Sequence, residues 1–237
     1  MPGAALQAFC DLALPRACAG CDEKRVALCE RCLAELREAL ATPAFAALPS
    51  PCPVGFPTTW SQTPYDGAVA QLLRAFKDSG RSDLAPRLAK LLRSAVAGLA
   101  EYDESCLAAL RSGRQMLVVP MPSRSTSTRA RGREPTVELA RLAVRGARPL
   151  VLCRALRTSA AGRDQAGLTA QERARNMHGA MRLTAIGRAR VPGRFCVVVD
   201  DIVTTGSSLA EAHATLLDAG AAGVAAATVA ATQRYGG

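Results

Sequence analysis

With 237 residues, of which 49% are apolar, the chain can bury the core of one α/β domain plus a small appendage. No apolar run approaches the roughly 18 residues of a membrane span. The amino-terminus also lacks the charged start and apolar core of a signal peptide, so a cytoplasmic protein without membrane insertion is expected. The net charge of +10 comes almost wholly from arginine, 27 against 3 lysines. Arginine forks match phosphate geometry. Alanine is abundant too, however, and a biased genome composition would explain both.

Four of the nine cysteines form the pairs Cys18-Ala-Gly-Cys21 and Cys29-Glu-Arg-Cys32. Each C-x-x-C turn offers two thiolates to one ion, and two such knuckles complete a tetrahedral Zn²⁺ site. Two disulfides are the competing reading, which a cytoplasmic location disfavours. A lobe this small is expected to fold only with its metal, and the rest of the chain is expected to be largely indifferent to it. Gly20 should ease the tight turn of the first knuckle.

A short helix is expected at Leu33–Leu40, followed by a linker or irregular packing segment with prolines at 43, 49, 51, 53 and 57. After Tyr65-Asp66-Gly67, the spacing of Val69, Leu72, Leu73 and Phe76 predicts a helix that stops near Gly80. A second helix, about Asp83–Leu99, has Pro86 in its first turn. Met116–Val119 reads as a strand, and Pro120-Met121-Pro122-Ser123 reads as a braced turn that offers backbone donors. Arg124, Arg129, Arg131 and Arg133 follow within ten residues and suggest phosphate or nucleic-acid contact. A helix at Glu134–Val144 and a strand at Leu150–Leu152 come next. The polar stretch from Arg154 to Thr169 is long enough to be an active-site loop. Thr169 with Glu172 makes a capping box, and Met181–Leu183 reads as a strand.

The chain is organised around Phe195–Ala219, FCVVVDDIVTTGSSLAEAHATLLDA. Phe195–Val199 is a strand buried on both faces. Asp200 and Asp201 follow it, and two adjacent carboxylates are expected outside the strand, at the exposed edge where open α/β sheets bind ligands. Thr204, Thr205, Gly206, Ser207 and Ser208 form a turn into a helix that runs to about Ala219. Its backbone N–H groups and hydroxyls suit a phosphate, and the carboxylates suit sugar hydroxyls. Together they describe a site for a ribose 5-phosphate. A last strand is expected at Val224–Val229.

This stretch resembles the phosphoribosyl pyrophosphate (PRPP) motif of type I phosphoribosyltransferases. The chain as a whole resembles the ComF family, with its ComFC and GntX-type members. The resemblance is carried by the cysteine knuckles, Tyr65-Asp66-Gly67 with Lys77, and Val119-Pro120-Met121-Pro122. It continues through Arg129-Ala130-Arg131-Gly132, Gln165-Ala166-Gly167-Leu168 with Arg173 and Asn176, and the acidic-pair loop. The family commonly continues Arg-Gly with Phe-Asn, where this chain has Arg133-Glu134.

The resemblance implies an α/β fold with a type I phosphoribosyltransferase-like parallel-sheet core over residues 59–237. A small zinc-binding lobe and linker would occupy residues 1–58. It also implies that Asp200 and Asp201 meet the ribose hydroxyls and that the turn 204–208 cradles the 5-phosphate. Pro120, Met121, Arg129, Arg131 and Lys77 would line the ligand site, with Mg²⁺ bridging pyrophosphate and ribose. The expected function is binding of PRPP or a ribose 5-phosphate nucleotide, acting with single-stranded DNA and its partner proteins in DNA uptake (competence), recombination or repair. The alternative is an active phosphoribosyltransferase that moves ribose 5-phosphate from PRPP to a nucleobase or another amine.

Overall fold

The computed structural model describes residues 17–123, 133–159 and 181–232. Helix α1 (Glu30–Ala41) starts at the last cysteine knuckle. Strands β1 (Phe45–Ala46) and β2 (Thr59–Pro64) come next. Helix α2 (Gly67–Asp78) buries Val69, Leu72, Leu73 and Phe76 along one face, as their spacing predicts. A 3₁₀ turn at Ser82–Leu84 precedes α3 (Ala85–Tyr102), which carries Pro86 in its first turn. Helix α4 (Glu104–Arg111) is capped by Asp103, whose carboxylate accepts the Cys106 N–H at 2.7 Å. Then come β3 (Met116–Pro120), α5 (Pro135–Ala143), β4 (Leu150–Leu152) and β5 (Leu156–Thr158). The chain closes with β6 (Met181–Leu183), α6 (Ala185–Arg190), β7 (Phe195–Val203), α7 (Ser207–Asp218) and β8 (Gly223–Ala231).

Six strands make one sheet in the order β1-β2-β8-β7-β3-β4. All pairs are parallel except β1 with β2. The short antiparallel pair β5–β6 stands apart. Helices α2, α3 and α5 cover one face, where Val197 and Val199 join Leu72, Phe76, Leu88, Leu92 and Leu139. Cys196 and Val198 point to the other face, among Leu209, Ala212 and Leu216 of α7. A strand buried this way must be apolar at every position, which is what its valine run supplies. At roughly 1.5–3 kcal/mol per buried large apolar side chain, β7 is the chief anchor of the fold.

The expected boundary between residues 58 and 59 falls at the start of β2, which pairs with β1 in the same sheet. Side-chain hydrogen bonds also cross it. Gln62 Nε2 donates to the carbonyls of Ala39 and Thr42, both at 2.8 Å, and so terminates α1 from within the sheet. Strands β1, β2 and β5 and helices α4 and α6 were not anticipated from the sequence. Strand β2 hides because its inward residues are polar: Ser61, Gln62 and Thr63 are buried, and the Ser61 hydroxyl pairs with that of Thr228.

Candidate functional site

Strands β3 and β7 are neighbours, yet the chain leaves them in opposite directions. From β3 it passes through α5 to β4 on the outer side, and from β7 it passes through α7 to β8. The carboxyl ends of β3 and β7 therefore flank a topological switch point, where open parallel sheets leave a ligand crevice. The acidic pair and the turn after it lie at this point.

The acidic pair sits deeper than its charge suggests. Strand β7 does not stop before it: Asp200 pairs with Thr228, and Ile202 and Val203 continue the ladder beside Ala230 and Ala231. Asp201 is 4% exposed, so it is not on a free edge. Its burial is compensated by Lys77 of α2, whose Nζ lies 2.8 Å from Asp201 Oδ2. Its other oxygen accepts the Ile202 N–H at 3.0 Å. Burial works to lower the lysine's proton affinity, but Asp201, with a smaller contribution from Asp200, outweighs it and holds Lys77 above the ordinary lysine range. Asp200 is less committed, with one oxygen accepting the Asp201 N–H at 2.9 Å. Burial first, then the charge of Asp201, pushes the Asp200 carboxyl well above the usual carboxylate range. The two residues thus differ in kind. Asp201 is a held counter-charge, and Asp200 is a strained carboxyl that gains from a hydroxyl or cation at its free side.

The turn after β7 has the expected shape. Gly206 has φ +74°, the left-handed region, and Thr204, Thr205 and Ser208 are exposed around it. Ser207 starts α7 with no side-chain cap on its first amides. Gly206 itself is buried, however, contrary to the expectation of an exposed edge. A Cβ there would lie 2.6 Å from the Phe56 ring and 2.8 Å from Pro49. The proline-rich segment therefore backs the turn, which bears out the packing alternative of its two readings.

The turn after β3 offers less than its prolines promised. Met121 is buried, and its N–H is already given to Val199 O at 2.9 Å. Pro120 and Pro122 have no N–H, so backbone donation to an anion can begin only at Ser123. Arg133 does not face solvent either. Its guanidinium lies 4.4 Å from the centre of the Phe76 ring, donates to Phe76 O at 3.1 Å and pairs with Glu138. It fastens α2 to α5 and is unavailable for nucleic acid. Arg124, Arg129, Arg131, Gln165–Leu168, Thr169, Glu172, Arg173 and Asn176 lie outside the described residues.

The four knuckle cysteines come together with their sulfurs within 4.8 Å of one another, and Cys18, Cys29 and Cys32 are buried. Four thiolates about 2.3 Å from one tetrahedral Zn²⁺ would be spaced about 3.8 Å apart, so the cluster fits that ion. Cys18 Sγ accepts N–H groups from Gly20 at 3.4 Å and Cys29 at 3.3 Å. Burial opposes ionisation of Cys18, but these amides and that of Cys21 overcome it and bring the thiol down to about 6, while Cys29 and Cys32 are shifted upward beside it. Gly20 is needed for a reason other than a left-handed turn: a Cβ would sit 2.6 Å from Cys32 Sγ. Cys106 and Cys196 are core thiols, raised by burial to about 11 and about 12.

A cleft of about 500 Å³ lies at the opposite, amino-terminal edge of the sheet, lined in part by Asp103, Arg114, Met116, Arg194 and Gly223. It holds none of the candidate ligand-binding or metal-binding residues. Three residues that organise the site were not legible in the sequence. Glu35 and Arg81 tie the cysteine lobe to α2, and Glu211 of α7 accepts the Met181 N–H at 2.7 Å and fixes β6. None belongs to a recognisable motif. No protein-family model matches the chain, and no curated protein does either.

Proposed function

We propose that the chain is a ComF-like protein of the type I phosphoribosyltransferase kind, whose pocket binds PRPP or a ribose 5-phosphate nucleotide with Mg²⁺. The observation that carries this reading is the placement of Asp200 and the Gly206 turn together at the switch point between β3 and β7. A phosphate at the turn meets the uncapped first amides of α7 and exposed hydroxyls. A sugar diol then falls to Asp200, the less committed of the two carboxylates. Lys77 and the arginines of the 124–131 segment would meet the pyrophosphate end. Mg²⁺, when bound, would bridge ligand oxygens and offset their charge, and Asp200 is the carboxylate best placed to reach it. The basic segment would also hold single-stranded DNA, which fits a protein acting in DNA uptake, recombination or repair.

Calorimetry with PRPP and Mg²⁺ tests the pocket. The parent protein should bind, and Asp200→Asn should bind at least tenfold more weakly, because a charge-assisted acceptor is roughly twice as strong as a neutral one. Equal affinity in the two proteins would overturn the assignment of Asp200.

A further inference from the structure

One helix joins the cysteine cluster to the acidic pair, and it is attached to the cysteine lobe at both ends. At its start, Ala68 is buried beside Cys18, Cys29 and Cys32. The Ala68 N–H, one of the orphan donors of the first turn of α2, is accepted by Glu35 Oε2 at 2.9 Å. Asp66, in the capping position, makes no side-chain cap. The cap is supplied instead from α1, one turn beyond Cys32. Past the far end of α2, Arg81 donates to the carbonyls of Ala17 at 3.3 Å and Ala27 at 2.9 Å. Asp83 holds its fork by two contacts of 2.8 Å. Ala17 adjoins Cys18 and Ala27 lies two residues before Cys29, so both carbonyls belong to the knuckles. Between these attachments stands Lys77, on Asp201.

We infer that Glu35 and Arg81 are positioning residues through which the metal-loaded cysteine lobe sets the placement of α2, and with it the Lys77 ammonium at Asp201. Metal in the cluster and ligand at the acidic pair are then coupled, and the coupling is reciprocal. Only the identity of the ligand rests on the ribose-phosphate reading; the mechanical link to Lys77 and Asp201 does not. The link has force because Asp201 is almost fully buried. A shift of α2 that withdraws the ammonium leaves a buried carboxylate unpaired, a strongly unfavourable state. The crevice must then rearrange. This replaces the expectation that the rest of the chain is indifferent to zinc.

The test uses the full chain in two arms. In the first, without ligand, hydrogen exchange is compared between zinc-loaded protein and protein stripped with the zinc-selective chelator TPEN. Stripping should speed exchange in residues 68–78 and 200–203 and leave α7, on the other face, unchanged. Unchanged exchange in both segments would overturn the inference. If stripping unfolds the chain, zinc-loaded Arg81→Ala replaces it, with the same expected pattern and the same overturning result. In the second arm, PRPP with Mg²⁺ is titrated into zinc-loaded parent, Glu35→Ala and Glu35→Gln. Glu35→Ala should bind roughly tenfold more weakly, within the usual range for coupled sites. Glu35→Gln, which keeps an acceptor for the Ala68 N–H, should recover most of the affinity. PRPP should also slow zinc release from the parent but not from Glu35→Ala. Equal affinity in all three proteins, with equal zinc release, would overturn the coupling. Failure of the parent to bind PRPP would overturn the ribose-phosphate reading instead, and the first arm would still decide the link.

Discussion

Asp200 is held in a form that the fold alone would not choose. Its carboxyl is partly buried, stands beside Asp201 and takes up a proton more readily than an ordinary carboxylate. This raised proton affinity fixes the sign of its effect on stability. Below the ordinary value of 3.8 the group is neutral in both folded and unfolded chains and costs nothing. As pH rises from 3.8 toward the higher folded value, the native state keeps a proton that the unfolded chain has lost, and stability falls across that window. Asp200→Asn removes this penalty, so it should melt higher than the parent near neutral pH, with the gain vanishing below pH 3.8. Thermal melts across pH check it, and a lower neutral-pH melting temperature would contradict it. Stability sacrificed at one residue is the usual mark of a functional group. The sequence displayed the acidic pair and its turn plainly, because charge within a valine run is conspicuous. It could not show that the two carboxylates have different partners, since Lys77 is 124 positions away in the chain. Nor could it show that Gly206 is hemmed in by Phe56 and Pro49, which is settled only by packing.

Among the elements, those with a periodic apolar face were legible. Helices α2 and α3 read directly from their spacing, strands β3 and β7 from their short unbroken apolar runs, and the cysteine knuckles from their regular pairs. Strand β2 was not legible, because its buried residues Ser61, Gln62 and Thr63 are polar, held by hydrogen bonds from the Ser61 hydroxyl and Gln62 Nε2 rather than marked by an apolar pattern. The metal site is the element whose chemistry is most directly testable. Cys29→Ser leaves three sulfur ligands where tetrahedral zinc needs four. Metal analysis of the purified variant should show well under one zinc per chain, against one for the parent. The variant should also melt at lower temperature, because metal binding and the folding of such a lobe are one process. A full equivalent of zinc in the variant would contradict the assignment. Helix α1 begins within the last knuckle and is bonded to both β2 and α2, so the consequences of metal loss should extend into the sheet.

On the scale of the whole molecule, the largely parallel sheet places Asp200, Asp201 and the turn at residues 204–208 at one edge, while the charge of the chain is dominated by arginine. The parallel sheet was foreseeable from apolar strands separated by helices. The strand order that creates the switch point was not, because it depends on long-range pairing. If Arg129 and Arg131 track a nucleic-acid backbone, replacing both with Ala should flatten the log–log salt dependence of single-stranded DNA binding by about 1.4, at about 0.7 per phosphate. An unchanged slope would remove those arginines from any DNA path. The central claim, that the switch-point crevice is the ligand site, is tested most directly by hydrogen exchange of the zinc-loaded chain with and without PRPP and Mg²⁺. Strong protection is expected in the amides of residues 204–208, where phosphate meets the turn, and none around Arg114 and Arg194 at the opposite edge. Protection at that opposite cleft with none at 204–208 would contradict it.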